Sequence, residues 1–149
     1  MAKFRYRLQN VLNIKLKMED QAKQEFSAAK MLLDEEEEKL AALQERKRGY
    51  ENRNRELLSG TLNVREIETA KNAVLIMDGF IADQHMEVER AAGRVERARV
   101  KMTVAMQERK TQETLREKAF DEFLREENRA EGKVIDELTS YTYGQKQEV

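Results

Sequence analysis

The only imidazole in this 149-residue chain is His85, and there is no cysteine. Metal binding and nucleophilic catalysis need companions that converge, such as a second His, a Cys pair or a Ser–His–acid set. His85 has none, and the three serines stand in no nucleophile motif. The acidic run Asp34-Glu35-Glu36-Glu37-Glu38 offers carboxylates in number. On a helix, however, consecutive residues point in different directions, so the run reads as a solvated face rather than a cation site. Met102 and Met106 have the spacing of packing residues. No glycine-rich loop is present to cradle a phosphate. These residues point away from an enzyme and away from any metal or cofactor, and towards a chain that works by contact.

Those contacts must be positioned by helices. Charged residues make up 38% of the chain, aromatics 6%, and the mean hydropathy is -0.85. Proline is absent and Gly numbers six, while strong helix formers dominate. Stepping by alternate threes and fours from Leu8 through Leu12, Lys15, Glu19 and Ala22 to Leu57 gives ten apolar residues in fifteen. The same stepping from Val64 through Ile67, Lys71, Val74, Asp78, Ile81, His85, Val88, Ala92, Val95 and Arg99 to Glu113 gives nine in fifteen. A 3.5-residue repeat is the seam of a coiled coil. Val11, Ile14, Leu16 and Met18 add a second apolar edge to the first stripe, as a helix with more than one neighbour would carry. Between the stripes lies Ser59-Gly60-Thr61-Leu62-Asn63. Gly60 is suited to a left-handed helix stop. Asn63 followed by Glu66 reads as a capping box.

The expected fold is all-α. It is a single coiled-coil domain of helix 5–58, tip 59–63, helix 64–140 and a frayed tail 141–149, with the two helices antiparallel. Gly79 and Gly93 in the second helix mark bends or close approaches. With the tip near residue 61, residue i faces about residue 122 − i. The acidic stretch 19–38 then lies beside Arg90, Arg94, Arg97, Arg99 and Lys101, and His85 lies near Glu36. At 1.5 Å per residue the two helices reach roughly 80 Å and 115 Å, so the second overhangs the first from about residue 118. Phe120, Phe123, Leu124, Val134, Ile135 and Leu138 on the overhang have nothing to bury against. Together with Phe4, Tyr6 and Leu8 they make the open end a docking surface for another protein.

Charge sets further bounds. Residues 1–18 hold five bases and no acid, yet the net charge is -1, which argues against nucleic acid as the main partner. No apolar run reaches membrane-spanning length and no secretory signal opens the chain, so a cytoplasmic protein is expected. A structural or scaffold coiled coil remains the competing reading. A stalk-like chain would be an elongated monomer at micromolar concentration, whereas a scaffold would assemble into long oligomers.

The opening Phe4-Arg5-Tyr6-Arg7-Leu8-Gln9-Asn10-Val11-Leu12-Asn13-Ile14-Lys15 resembles the start of the FliJ family of the bacterial flagellar type III export apparatus. The length, the two-helix pattern, the tip near residue 60 and the charged end with Glu113, Leu115, Phe120, Asp121, Glu122 and Phe123 agree with it. The resemblance implies a stalk-like partner of the hexameric flagellar export ATPase, which it binds with its open end and helps to assemble. It also implies contacts with the cytoplasmic domain of the export gate and with flagellar export chaperones, carried by Leu43, Tyr50, Val74, Ile81 and His85 in the distal half. Such a protein is cytoplasmic and joins the membrane peripherally, through the apparatus.

Overall fold

The computed structural model describes residues 2–147, the last two by their backbone alone. It has two helices, α1 (Gln9–Leu58) and α2 (Val64–Gln147), and no strand among the described residues. α1 begins at Gln9 rather than near residue 5. Residues 2–6 are irregular, and the Gln9 N–H donates to the Tyr6 carbonyl at 3.1 Å. α2 continues through Gln147 rather than ending near 140; Glu148 and Val149 of the expected frayed tail lie outside the described residues.

The chain packs as two compact units, one of residues up to Asp20 with those from Val104 onward, the other Gln21–Thr103. The second unit holds the tip and is a helical hairpin. Its antiparallel register is fixed by Glu25 against Lys101 (3.0 Å), Gln84 against Glu36 (2.5 Å) and Lys47 against Asp78 (2.7 Å). These pairs lie within about one helical turn of the expected register. In the first unit α1 and α2 also run antiparallel, with Gln9 bonded to Arg116 and Lys15 to Glu108.

The tip differs from expectation in its chemistry. Gly60 does not close α1 in a left-handed conformation, since no glycine among the described residues has a positive φ. The stop is made by Ser59, whose N–H and hydroxyl both donate to the Glu56 carbonyl, at 3.2 and 2.8 Å. Asn63 does cap α2, but its Oδ1 accepts from the Arg65 N–H at 3.1 Å, one residue short of the position a capping box uses. Gly79 and Gly93 mark no close approach within the chain. A methyl at Gly79 would meet nothing within 4 Å, and at Gly93 only the flexible Arg97 guanidinium at 3.5 Å.

The seam of α1 runs where its stripe places it: Leu12, Glu19 and Ala22 are buried and Phe26, Leu33, Leu40, Leu43 and Tyr50 half-buried. On α2 four alternate seam positions are shifted by one residue, while Asp78, Met106 and Glu113 stay half-buried as expected. Ile67, Val74, Ile81, Val88, Val95 and Met102 face inward as expected. Between them, Ala70, Met77, Ala91 and Ala105 are the buried residues, with Gln84 and Ala98 half-buried. Lys71, His85, Ala92 and Arg99 are exposed instead. Both phasings keep a seven-residue period. The small side chain of alanine lets the helices approach closely there, and the charged neighbours stay in water.

Candidate docking surfaces

The open end is built from two separate stretches of sequence, residues 4–9 and 112–123. The irregular residues before α1 fold back so that Phe4 meets Phe120 edge-on, ring centroids 5.1 Å apart, and lies 5.5 Å from Phe123. Phe120 and Phe123 are 6.4 Å apart and nearly parallel, one α2 turn apart on the same face. Edge-on and offset ring pairs of this kind stabilise beyond their buried area. The Arg116 guanidinium stands over the Phe4 ring at 5.5 Å while its Nε donates to Gln9 at 3.0 Å. This cation–π contact latches the N-terminal segment onto α2. The Tyr6 hydroxyl donates to Gln112 at 3.3 Å.

The structure thus brings Phe4, Phe120 and Phe123 together and gives Tyr6 its own anchor. It corrects in part the expectation that Phe120 and Phe123 lack cover: Phe4 packs on both, leaving Phe123 half-buried and Phe120 still 40% exposed. Leu8 and Leu124, 41% and 43% exposed, stand at the edge of the cluster. Beyond Leu124 the overhang is unpartnered, with Val134, Ile135, Leu138, Tyr141 and Tyr143 all more than half exposed. Ile14, Leu16 and Met18 are exposed too, so the second apolar edge of α1 finds no neighbour within the chain. The latch residue Arg116 carries no sequence signal of its own, since an apolar stripe does not select an arginine.

Near the aromatic cluster lies the most buried charge among the described residues. Glu19 is 4% exposed and accepts from Arg109 at both oxygens, Nε at 2.5 Å and Nη2 at 3.3 Å, while Arg109 Nη1 reaches Glu113 at 2.8 Å. The hydrogen bond that Arg109 donates to Glu19, then the one it donates to Glu113, holds its guanidinium above the ordinary range. A bidentate fork fixes one rotational setting of two helices, which an apolar contact does not.

In the distal unit, Leu43, Tyr50, Val74 and Ile81 are half-buried in the seam rather than free surface. His85 is exposed and does not pair with Glu36. Its neighbour Gln84 turns inward, donating to the Glu36 carbonyl at 2.9 Å and to its carboxylate. That bond, more than Lys39, pulls the Glu36 carboxyl below the usual range. The expected acid–base ladder forms only in part. Lys101 crosses to Glu25 and lowers its pKa, whereas Arg90 and Arg99 pair along their own helix with Glu87 and Glu96. Tyr50 lines a cleft of about 380 Å³ at the tip with Arg53, Asn63 and Arg65. Opposite the seam, α2 also exposes Leu75, Ile76, Phe80 and Met86, each more than half accessible. A single heptad stripe along α2 does not include these residues.

Among the described residues no group of three or more His, Asp and Glu side chains is placed to hold a metal ion, and no helix is long and apolar enough to cross a membrane.

Comparison with solved structures finds a chain described as a proposed YscO homologue, CT670, from Chlamydia trachomatis. It is 24% identical with a TM-score of 0.64, and the match covers 98% of this chain and 99% of that one. That likeness establishes a shared fold. Among curated proteins no match is found. The family model for the flagellar FliJ protein matches residues 4–148, nearly the whole chain. The chain therefore belongs to the FliJ family, and with it to the components of the type III export apparatus.

Proposed function

We propose that this chain is a non-catalytic coupling component of flagellar export that docks on the hexameric export ATPase with its open end and favours the assembled ring. The observation that carries the proposal is the Phe4–Phe120–Phe123 cluster with the unpartnered apolar helix that leaves it at Leu124. An ordered aromatic platform beside an uncovered helix is what a protein partner buries. A component that binds the ring more tightly than free subunits shifts the population towards the ring. The distal unit is the side that meets the export gate's cytoplasmic domain and the export chaperones. His85 is accessible for that contact, whereas Leu43, Tyr50, Val74 and Ile81 reach a partner only by their exposed edges. The chain then works at the cytoplasmic face of the membrane, held there by the apparatus.

The test is to add the purified chain to the export ATPase and follow ring formation and ATP hydrolysis. Wild type raises both. Leu124→Glu, at an exposed site that leaves the packed cluster in place, reduces the effect about tenfold or more, the scale of a lost hot-spot contact. Unchanged hydrolysis and assembly on adding wild type would sink the proposal.

A further inference from the structure

The cleft of about 380 Å³ at the tip lies between the two helices, within the Gln21–Thr103 unit. α2 lines it with Ala70 and Ala73, and α1 with Tyr50. Ala70 is buried, and Ala73 and Tyr50 are half-buried. Two methyl side chains reach less far than Met77, which is buried two turns beyond Ala70. The cleft is therefore left open above an apolar floor. Its rim is basic. Arg53 and Arg65 stand on it, both exposed and neither with a carboxylate partner among the described residues. Further from the tip Lys47 is neutralised, by Asp78 at 2.7 Å and Glu51 at 3.7 Å. Residues 46–65 hold six bases and two acids, in a chain whose net charge is -1. The acid on the rim, Glu66, lies in the first turn of α2, where the helix dipole offsets its charge.

We propose that this cleft docks an acidic segment of a partner protein, one bulky apolar side chain entering it while flanking carboxylates meet Arg53 and Arg65. An apolar hollow with a few polar groups at its edge is the form of a side-chain pocket. Arginine is suited to the rim, because its planar fork holds a carboxylate by two parallel hydrogen bonds. Charge complementarity selects an acidic partner, and the apolar floor selects a peptide over a polyphosphate. A nucleic acid draws its affinity from many phosphate contacts and leaves such a floor empty. The contact is brief and local, so it is weak alone and adds to whatever else the distal unit meets. The inference stands without the export reading, since floor and rim belong to the tip alone.

The probe is a short fluorescein-labelled peptide with one phenylalanine between runs of aspartate and glutamate. The full chain is titrated into it at low salt and followed by fluorescence anisotropy. Wild type binds with half-saturation below about 0.5 mM. The same peptide with alanine for phenylalanine binds at least about fivefold more weakly. Ala73→Leu fills the cleft, leaves every charge in place and weakens binding about tenfold. Arg53→Glu with Arg65→Glu does the same. An equal change of charge elsewhere on α2, Arg125→Glu with Arg129→Glu, alters binding less than about twofold. All variants keep the wild-type helical signal, because none of these side chains is buried. No binding of the peptide, equal binding of its alanine form, or an unchanged Kd in Ala73→Leu would overturn the proposal. So would tighter binding of an oligothymidylate or of anionic-lipid vesicles through the same two arginines, which would make the tip a contact for polyanions.

Discussion

The Glu19–Arg109–Glu113 cluster decides how single residues can fail in this molecule. A bidentate ion pair among apolar neighbours adds little net stability, because desolvation offsets its attraction, but losing one partner strands the other. Arg109→Ala removes two charge-assisted hydrogen bonds from the carboxylate that is 4% exposed, and lowers Tm by about 5 °C in a circular-dichroism melt. Replacing both, with Glu19→Leu and Arg109→Met, recovers most of that loss. A double variant no better than Arg109→Ala would show that the pair stabilises outright. The cross-helix pairs of the distal unit fix a pH response at the same scale. Gln84 and Lys101 hold Glu36 and Glu25 below the ordinary carboxylate range in the folded state. A depressed folded pKa gives stability that is present above the unfolded pKa and lost as pH falls through the folded one. Tm is therefore level near neutrality and declines below about pH 4. Lys47, raised by Asp78, has the opposite sign, and its contribution is lost only as the pH climbs past the ordinary lysine range. In Glu36→Gln with Glu25→Gln the acid decline is shallower.

For the helices, the α2 register is the informative case. The alternation Ala70, Met77, Gln84, Ala91, Ala98, Ala105 holds five apolar residues in six. The competing set Lys71, Asp78, His85, Ala92, Arg99, Met106 holds two. The signal was present, but a stripe begun at Val64 and counted for heptad period is insensitive to which of the two phasings is chosen, because they share Ile67, Val74 and Ile81. α1 was legible because large residues mark both of its alternating positions, Leu12, Phe26, Leu33 and Leu40 the one and Leu8, Leu43 and Tyr50 the other. The Phe4 fold-back was not legible, because it depends on where an irregular segment turns. The phasing makes neighbouring substitutions differ sharply. Met77→Ala opens a cavity at a site 5% exposed and costs about 2 kcal/mol in urea unfolding, whereas His85→Ala changes stability by less than about 0.5 kcal/mol. Reversed sizes would return His85 to the seam. Gly49, in mid-α1 with nothing within 4 Å of a methyl group, is a plain helix liability; Gly49→Ala adds up to about 1 kcal/mol.

The whole molecule separates residues that pack from residues that wait. Phe120 and Phe123 pack on Phe4, whereas Leu124, Val134, Ile135, Leu138, Tyr141 and Tyr143 are all exposed, by 43% or more. A segment without tertiary contacts contributes nothing to cooperative unfolding beyond its own weak helicity, since an isolated helix of about twenty residues is marginal in water. Its apolar face must therefore serve something other than the fold. A chain ending at Glu126 keeps Phe4, Phe120, Phe123 and Arg116, and with them the latch. Such a truncation melts within about 2 °C of the full chain, loses helical signal in proportion to the residues removed, and no longer stimulates the export ATPase. Full stimulation by the truncated chain would place docking on the aromatic platform alone. A fall in Tm of about 10 °C would instead show that the overhang packs against the rest of the chain.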